Sequence, residues 1–291
     1  MSWRGHASLL TAMWLAAAGA VSAAVAQEQV IRFGLIPSED ADKLIADSQP
    51  FIAALEKNIG MKVKPFVAID YSAVIEALKS DKLEIAFLGP NAYVLAKDKV
   101  KAQIEPVGRG VMELTGTSAY KALIITHPSK PISNIADLKG KTFALVDPAS
   151  TSGNLVPRYV FGNHGITPEK DFKSVYYSGT HQASLIAVKE GKVDAAAIAD
   201  EVYNLAIAKG QIKPTDLKVV FESEPIPGSP FVVRTNLPKD LQEKLRAGFM
   251  ALKDVSFGKL GVVKSMDAAT DNDYNVIREL EGFKDKLKRG S

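Results

Sequence analysis

Short apolar runs alternate with stretches in which apolar residues return every three or four positions, almost to the end of the chain. The run at 30–35 reads as a strand. A helix follows with Leu44, Ile45, Ile52, Leu55 and Ile59 on its buried face, and Pro50 is expected to bend or break it. Residues 63–67 predict a second strand. Asp70 then caps a helix that carries Val74, Ile75 and Leu78 at helical spacing, and 84–88 returns to a strand. The second half repeats this grammar. A short helix at 135–138 is capped near Ser133 and Asn134, a strand covers 142–146 and a helix 155–161, and then 175–177 is extended and 185–189 helical. Strands alternating with helices put the chain in the α/β class, with a parallel or mixed sheet covered by helices on both faces.

The two halves also echo each other. Residues 74–86 and 185–196 each read as a helix, a tight turn and a strand opened by an acid, Glu84 or Asp194. That pattern suits two similar lobes. Turn-rich stretches at 114–118 and 224–230 run into strands at 120–126 and 231–234, and they bracket the middle of the chain. They read as two crossovers between a discontinuous first lobe, residues 27–116 and 225–291, and a continuous second lobe, 117–224. A cleft between such lobes is where a ligand would bind, closing by hinge motion.

Composition narrows the function classes. Residues 1–26 carry Arg4 and then an apolar run that closes with Ala24-Val25-Ala26, followed by polar Gln27-Glu28-Gln29. This is the pattern of a secretory signal peptide cleaved after Ala26, and it predicts export to the periplasm. The run is short for a membrane span and lacks the flanking charge of a stop-transfer segment. No later stretch is apolar enough to cross a membrane, so the mature chain is expected to be soluble. The 36 basic and 33 acidic residues nearly cancel, without the basic face of a nucleic-acid binder. Cysteine is absent, which excludes disulfides, thiolate metal sites and a lipobox anchor. Beyond residue 26 the histidines are His127, His164 and His181, without the paired spacing of zinc sites. There is no Walker A loop and no dinucleotide fingerprint. No metal or cofactor is expected, and the basic run at 284–289 reads as a solvated helix end.

The densest chemistry lies in Val146-Asp147-Pro148-Ala149-Ser150-Thr151-Ser152-Gly153-Asn154, between an apolar strand and a helix. Three hydroxyls and several free backbone N–H groups therefore gather at one helix N-terminus, where positive partial charge and unsatisfied donors suit an oxyanion. One serine would be enough to cap the helix, and three consecutive hydroxyls followed by glycine exceed that need. Two further helix starts, Asp70-Tyr71-Ser72 and Gly179-Thr180-His181, belong to the same edge, because helices of an α/β sheet begin beyond the carboxyl ends of its strands. Tyr71 and His181 can thus face the same cleft as Ser150, Thr151 and Ser152. Taken singly, Tyr71, Tyr120 and His181 are more often packing or structural residues.

Together these segments resemble the periplasmic binding proteins of phosphonate-, phosphite- and phosphate-type ABC transporters over essentially the whole mature length. The resemblance rests on Asp70-Tyr71-Ser72, Leu88-Gly89-Pro90, Ser150-Thr151-Ser152-Gly153 after Asp147-Pro148, and Gly179-Thr180-His181. Lys192-Val193-Asp194-Ala195-Ala196 and Ile226-Pro227-Gly228-Ser229-Pro230 extend it. It implies a two-lobed type II periplasmic binding fold, with mixed sheets and the ligand's phosphorus group buried in the cleft between the lobes. Ser150, Thr151 and Ser152 then resemble the family's oxygen-binding helix start, Tyr71 and Tyr120 its phenolic donors, and His181 its imidazole donor. Glu201, or Asp200 beside it, resembles an acid that meets the ligand's remaining polar group. A carboxylate tolerates an anion only with a proton between them, so this acid is expected to accept a hydrogen bond from a P–OH group.

One position departs from the pattern. Aminoalkylphosphonate binders place an acid after Pro-Gly in the second crossover, where this chain has Ser229. An ammonium group would lose one carboxylate partner there, and a desolvated, poorly paired cation is costly. The expected ligand is phosphite or another small phosphorus species such as methylphosphonate or hypophosphite, handed by a monomer to an ABC permease. Two other readings stay open. A sulfonate, sulfate or nitrate binder would use the same helix start, although His181 and the acid favour a ligand that can carry a proton. A secreted hydrolase could draw on Ser150 or Ser152 with His181 and Asp200. Against it, Ser150 stands where a nucleophile elbow needs glycine, two residues before Ser152. Capture rather than catalysis is expected.

Overall fold

The strand–helix alternation closes into two sheets in the computed structural model, which describes residues 30–289 and side chains as far as Phe283. The expected signal peptide at 1–26, and the side chains of the basic run at 284–289, lie outside the described residues. The first stretch runs β1 (Ile31–Leu35), α1 (Ala41–Ile59), β2 (Val63–Val67), α2 (Tyr71–Lys79), β3 (Ile85–Phe87), α3 (Pro90–Val94) and β4 (Ile104–Met112). The middle runs β5 (Ala122–Thr126), β6 (Thr142–Leu145), α4 (Val156–Asn163), α5 (Pro168–Asp171) and β7 (Ser174–Tyr177). It continues with α6 (His181–Lys189), β8 (Ala195–Ala199), α7 (Asp200–Ala208) and β9 (Lys218–Glu222). The last stretch runs β10 (Phe231–Arg234), α8 (Lys239–Met250), β11 (Val255–Phe257), β12 (Gly261–Asp267) and α9 (Asn275–Arg289).

A seven-stranded sheet has the order β11-β12-β4-β10-β3-β1-β2, and a five-stranded sheet the order β7-β6-β8-β5-β9. Both are mixed. In the first, β1 pairs in parallel with β2 and β3, and antiparallel β10 lies between β3 and β4. In the second, β6 pairs in parallel with β7 and β8, and antiparallel β5 lies between β8 and β9. The chain leaves the first sheet from β4 into β5 and returns from β9 into β10, so the antiparallel strands β5 and β10 each arrive from the other lobe. The fold is two-lobed α/β with one mixed sheet in each lobe.

The crossovers touch. Tyr120 N–H donates to Ile226 O at 3.1 Å, and Ile226 N–H to Tyr120 O at 2.7 Å. Here Gly228 is required by close approach, since a Cβ on it would lie 2.3 Å from Ser118 O. The strand expected at 120–126 accordingly starts at Ala122, with Tyr120 in an isolated bridge.

Pro50 does not break α1, which runs from Ala41 to Ile59. The missing N–H would have served Ala46 O four residues back. Ala46 and Pro50 are both exposed, so water can serve that carbonyl, while Phe51, Ile52, Leu55 and Ile59 anchor the following turns in the core. Ile45 is only partly buried, and Ser48 and Phe51 complete the inward face instead.

Strand alternation divides the second sheet between two cores, as period-two side-chain direction requires. Ile124, Phe143, Leu145, Ala195 and Ala197 face the main core. Leu123, Ile125, Ala144, Ala196 and Ile198 face a smaller one closed by Leu185 and Val188 of α6 and Ala206 of α7. No helix among the described residues is long and apolar enough to cross a membrane.

Candidate functional site

Beyond β6 the chain folds back on itself before α4. Val146 N–H bonds Gly153 O at 3.0 Å, Asp147 Oδ1 accepts from Ala149 N–H at 2.7 Å, and Ser150 Oγ accepts from Gly153 N–H at 3.0 Å. Ser150 is thus the N-cap of a π-helical turn, Thr151–Leu155, that leads into α4. Gly153 is needed for this fold-back, because a Cβ there would lie 2.4 Å from the Val146 side chain. The cap satisfies one helix-start donor and leaves the N–H groups of Thr151 and Ser152 with no preceding turn to bond. Ser150, Thr151 and Ser152 are all buried. Thr151 Oγ1 also accepts from Asn91 N–H, at 2.9 Å, from the start of α3 in the other lobe.

Tyr71 opens α2 behind its cap, Asp70, whose Oδ1 accepts from Ala73 N–H at 2.7 Å. Tyr71 N–H reaches across to Asp147 Oδ2 at 3.4 Å, and its phenol lies beside Ser150. The Tyr120 phenol lies beside Thr151 and Ser152. Burial, with Asp147 and then Glu201 adding to it, pushes the Tyr71 hydroxyl well up; burial and Glu201 do the same to Tyr120. Both are therefore neutral donors. His181 opens α6 behind Thr180, whose Oγ1 caps Ala183 N–H at 2.9 Å. Its Nδ1 accepts from Ala199 N–H at 3.1 Å, which puts the ring proton on Nε2. Burial, reinforced by the charge of Lys259, pushes the imidazole down to about 3, so it is neutral at physiological pH.

Of the two adjacent acids, Asp200 is tied to the backbone: its Oδ1 accepts from Lys121 N–H at 2.9 Å, and its own N–H donates to Lys121 O at 3.0 Å. Glu201 is the more deeply buried, and its Oε2 is ion-paired with Lys259 Nζ. Glu201 Oε1 is buried without a hydrogen-bond partner among the described residues. Burial raises the Glu201 carboxyl, against the pull of Lys259.

Lys259 was not picked out by sequence reasoning. It sits in a tight turn, Gly258–Leu260, bounded by Gly258 at φ 39° and Gly261 at φ 64°. A lone lysine between two glycines was the available signal, and it carries no function class by itself. Asn91 was missed too. Both polar atoms of its buried side chain lack partners among the described residues, and it directly follows the Gly89-Pro90 pair. No group of three or more His, Asp or Glu side chains among the described residues could hold a metal ion.

Tyr71, Tyr120, Ser150, Thr151, Ser152, His181 and Glu201 thus line one buried junction between the lobes, with Lys259 added. The junction offers hydroxyl, phenol, imidazole and backbone donors, one cation and one unpartnered carboxylate oxygen. That set suits an oxyanion carrying a proton.

Residues 33–274 match the family described as ABC transporter, phosphonate, periplasmic substrate-binding protein. The chain is 32% identical over 273 residues to the phosphonates-binding periplasmic protein of Escherichia coli, spanning 89% of this chain and 78% of that one. It is 32% identical over 274 residues to the phosphate-import protein PhnD of Mycolicibacterium smegmatis, spanning 87% and 85%. A solved structure from Pseudomonas aeruginosa, a binding protein component of an ABC phosphonate transporter, superposes with a TM-score of 0.80 at 32% identity, over 90% of this chain and 88% of that chain.

Proposed function

The chain belongs to the periplasmic substrate-binding proteins of phosphonate ABC transporters, and from that premise we propose that it captures a small phosphorus oxyanion for an ABC permease. Phosphite, methylphosphonate and hypophosphite are the ligands in view, and the periplasm is the compartment. The two relatives named above share the same identity with this chain, yet one is named for phosphonates and the other for phosphate. Overall similarity therefore does not choose the ligand, and the choice rests on site chemistry.

The observation that carries the proposal is the convergence of donors around one free acceptor, Glu201 Oε1. Ser150, Thr151, Ser152, Tyr71, Tyr120 and the Nε2–H of His181 would bind the ligand's oxygens. Glu201 Oε1 would accept from a P–OH group, which phosphite and methylphosphonate carry near neutral pH; sulfate, nitrate and ionised hypophosphite have no O–H to donate, so hypophosphite would bind without this contact. Charge-assisted bonds are worth roughly 1.5–3 kcal/mol each, so several together support tight binding after the cost of closure. The halves would close as units, 27–116 with 225–291 against 117–224, about the Tyr120–Ile226 pairing. A monomer would present both lobes to the permease.

Titration calorimetry on the mature chain tests this with phosphite, hypophosphite, methylphosphonate, aminoethylphosphonate, phosphate and sulfate. The expected result is tight binding of a small phosphorus species and none of sulfate. Affinity for phosphite and methylphosphonate should fall as pH rises through the ligand's second ionisation, while His181, already neutral, adds no titration there. Failure of every ligand on a folded protein would sink the proposal, and a flat pH profile would remove the role given to Glu201.

A further inference from the structure

The cleft already contains an ammonium group. Lys259 Nζ is ion-paired with Glu201 and lies 3.4 Å from Ser229 Oγ. It stands 5.0 Å from the centre of the Tyr120 ring and 5.8 Å from that of Phe87. A carboxylate, a hydroxyl and two aromatic faces are the surroundings that recognise a cationic amine. Tyr120 also turns its hydroxyl toward Thr151 and Ser152. The amine box and the oxyanion cluster therefore share a wall, and a zwitterion with an oxyanion at one end and an amine a few bonds away would suit both at once. In this protein the box is filled from within.

We propose that Lys259 determines the ligand class: its ammonium occupies the place in which a ligand's amine would bind, and it restricts the cleft to amine-free phosphorus oxyanions. This rests on the functional reading above and sharpens it. An amine-bearing ligand would have to place a second cation beside Lys259, with Glu201 the only directly paired carboxylate among the described residues. Two like charges in a dry cleft are strongly unfavourable. Expelling Lys259 instead would strand Glu201 as an unpaired buried charge. The backbone also opposes expulsion: the turn carrying Lys259 is pressed so closely on α1 that a Cβ on Gly258 would lie 2.5 Å from Leu44 Cδ1.

The test compares methylphosphonate with aminoethylphosphonate by calorimetry on the wild type, Lys259→Ala and Lys259→Met, with thermal melts to establish folding. The wild type should bind methylphosphonate in clear preference. Lys259→Ala, which empties the box, should shift the affinity ratio toward aminoethylphosphonate by roughly 10- to 100-fold, the scale of one charge-assisted hydrogen bond. Lys259→Met refills the volume without charge and should shift the ratio much less. If the alanine variant does not fold, Lys259→Ser makes the same vacancy and leaves a hydroxyl for Glu201. Equal affinity of the wild type for both ligands overturns the proposal, as does a ratio unchanged in the emptied variant. A wild type that binds no phosphorus ligand at all overturns the functional reading itself, which separates the two failures.

Discussion

The two lobes share the order of five strands, to which the first lobe adds β12 and β11, and they differ in what fills them. Beneath the seven-stranded sheet, Phe33, Phe51, Phe87, Phe231, Phe249 and Phe257 form one aromatic group, with Phe51 centred 4.5 Å from Phe257 and 4.9 Å from Phe231. The five-stranded sheet has a smaller aromatic group, Phe143, Phe161 and Phe172, and at its centre the strand Ala195-Ala196-Ala197-Ile198-Ala199, wholly buried. Its small side chains leave room for the loop at 147–153 and the starts of α6 and α7 to come close to the sheet. The polar residues follow that division. Ser150, Thr151, Ser152, His181 and Glu201 all lie in the Ala-rich lobe, while the Phe-rich lobe contributes Tyr71, Asn91 and Lys259. One lobe is built for apolar volume, and the other gives up volume so that polar helix starts can be buried with their donors directed by caps.

The largest expected effect separates the two cores. Phe51→Ala should destabilise the protein by roughly 3–5 kcal/mol, from lost transfer free energy and the cavity left behind. Ala197→Val should cost about 1–3 kcal/mol for the opposite reason, overpacking of a filled sheet face. Denaturant unfolding of both variants checks this. A harmless Ala197→Val would mean that the alanine strand is not close-packed, and the contrast between the lobes would fail.

A smaller effect separates the proposed binding roles. Loss of both hydroxyls in Thr151→Ala/Ser152→Ala should weaken the tightest-binding oxyanion roughly 100-fold or more, and Tyr71→Phe roughly 10-fold, on the scale of charge-assisted bonds. Calorimetry that reversed the order would move the principal anion contacts to the Phe-rich lobe.

A third test reads a pH slope from the Ala-rich lobe. His181 is pushed from 6.5 down to about 3 in the fold. As pH falls below about 6.5 the unfolded chain takes up a proton that the native state refuses, so stability drops by at most ~1.4 kcal/mol per pH unit. Asp194 is partly buried, but Lys130 and Thr142 hold it down at about 2. Its stabilisation is present above its ordinary value of 3.8 and is lost only as pH falls below that. Urea midpoints between pH 6.5 and about 4 should therefore slope less in His181→Gln than in the wild type. An unchanged slope would assign the acid sensitivity to other groups.

Much of this molecule is legible locally. Asp70, Asn134 and Thr180 cap the elements that their residue types announce, and the hydroxyl run lies at a helix start. Such features depend on groups within a few residues of each other, so propensity and capping chemistry suffice. Pro50 shows the limit of local reasoning, because burial of Phe51, Ile52, Leu55 and Ile59 outweighs a missing hydrogen bond on the solvent side.

The amino-acid order by itself determined the α/β class and the chemical character of the helix starts, since each follows from near-neighbour spacing. Tertiary structure alone decided which of those groups meet. Tyr71 reaches Asp147 across 76 positions, Asn91 reaches Thr151 across 60, and Lys259 reaches Glu201 across 58. No periodicity relates residues so far apart. Their meeting is set by the way two separately packed sheets come together, and it is there that a lysine without any sequence signature becomes a buried counter-charge.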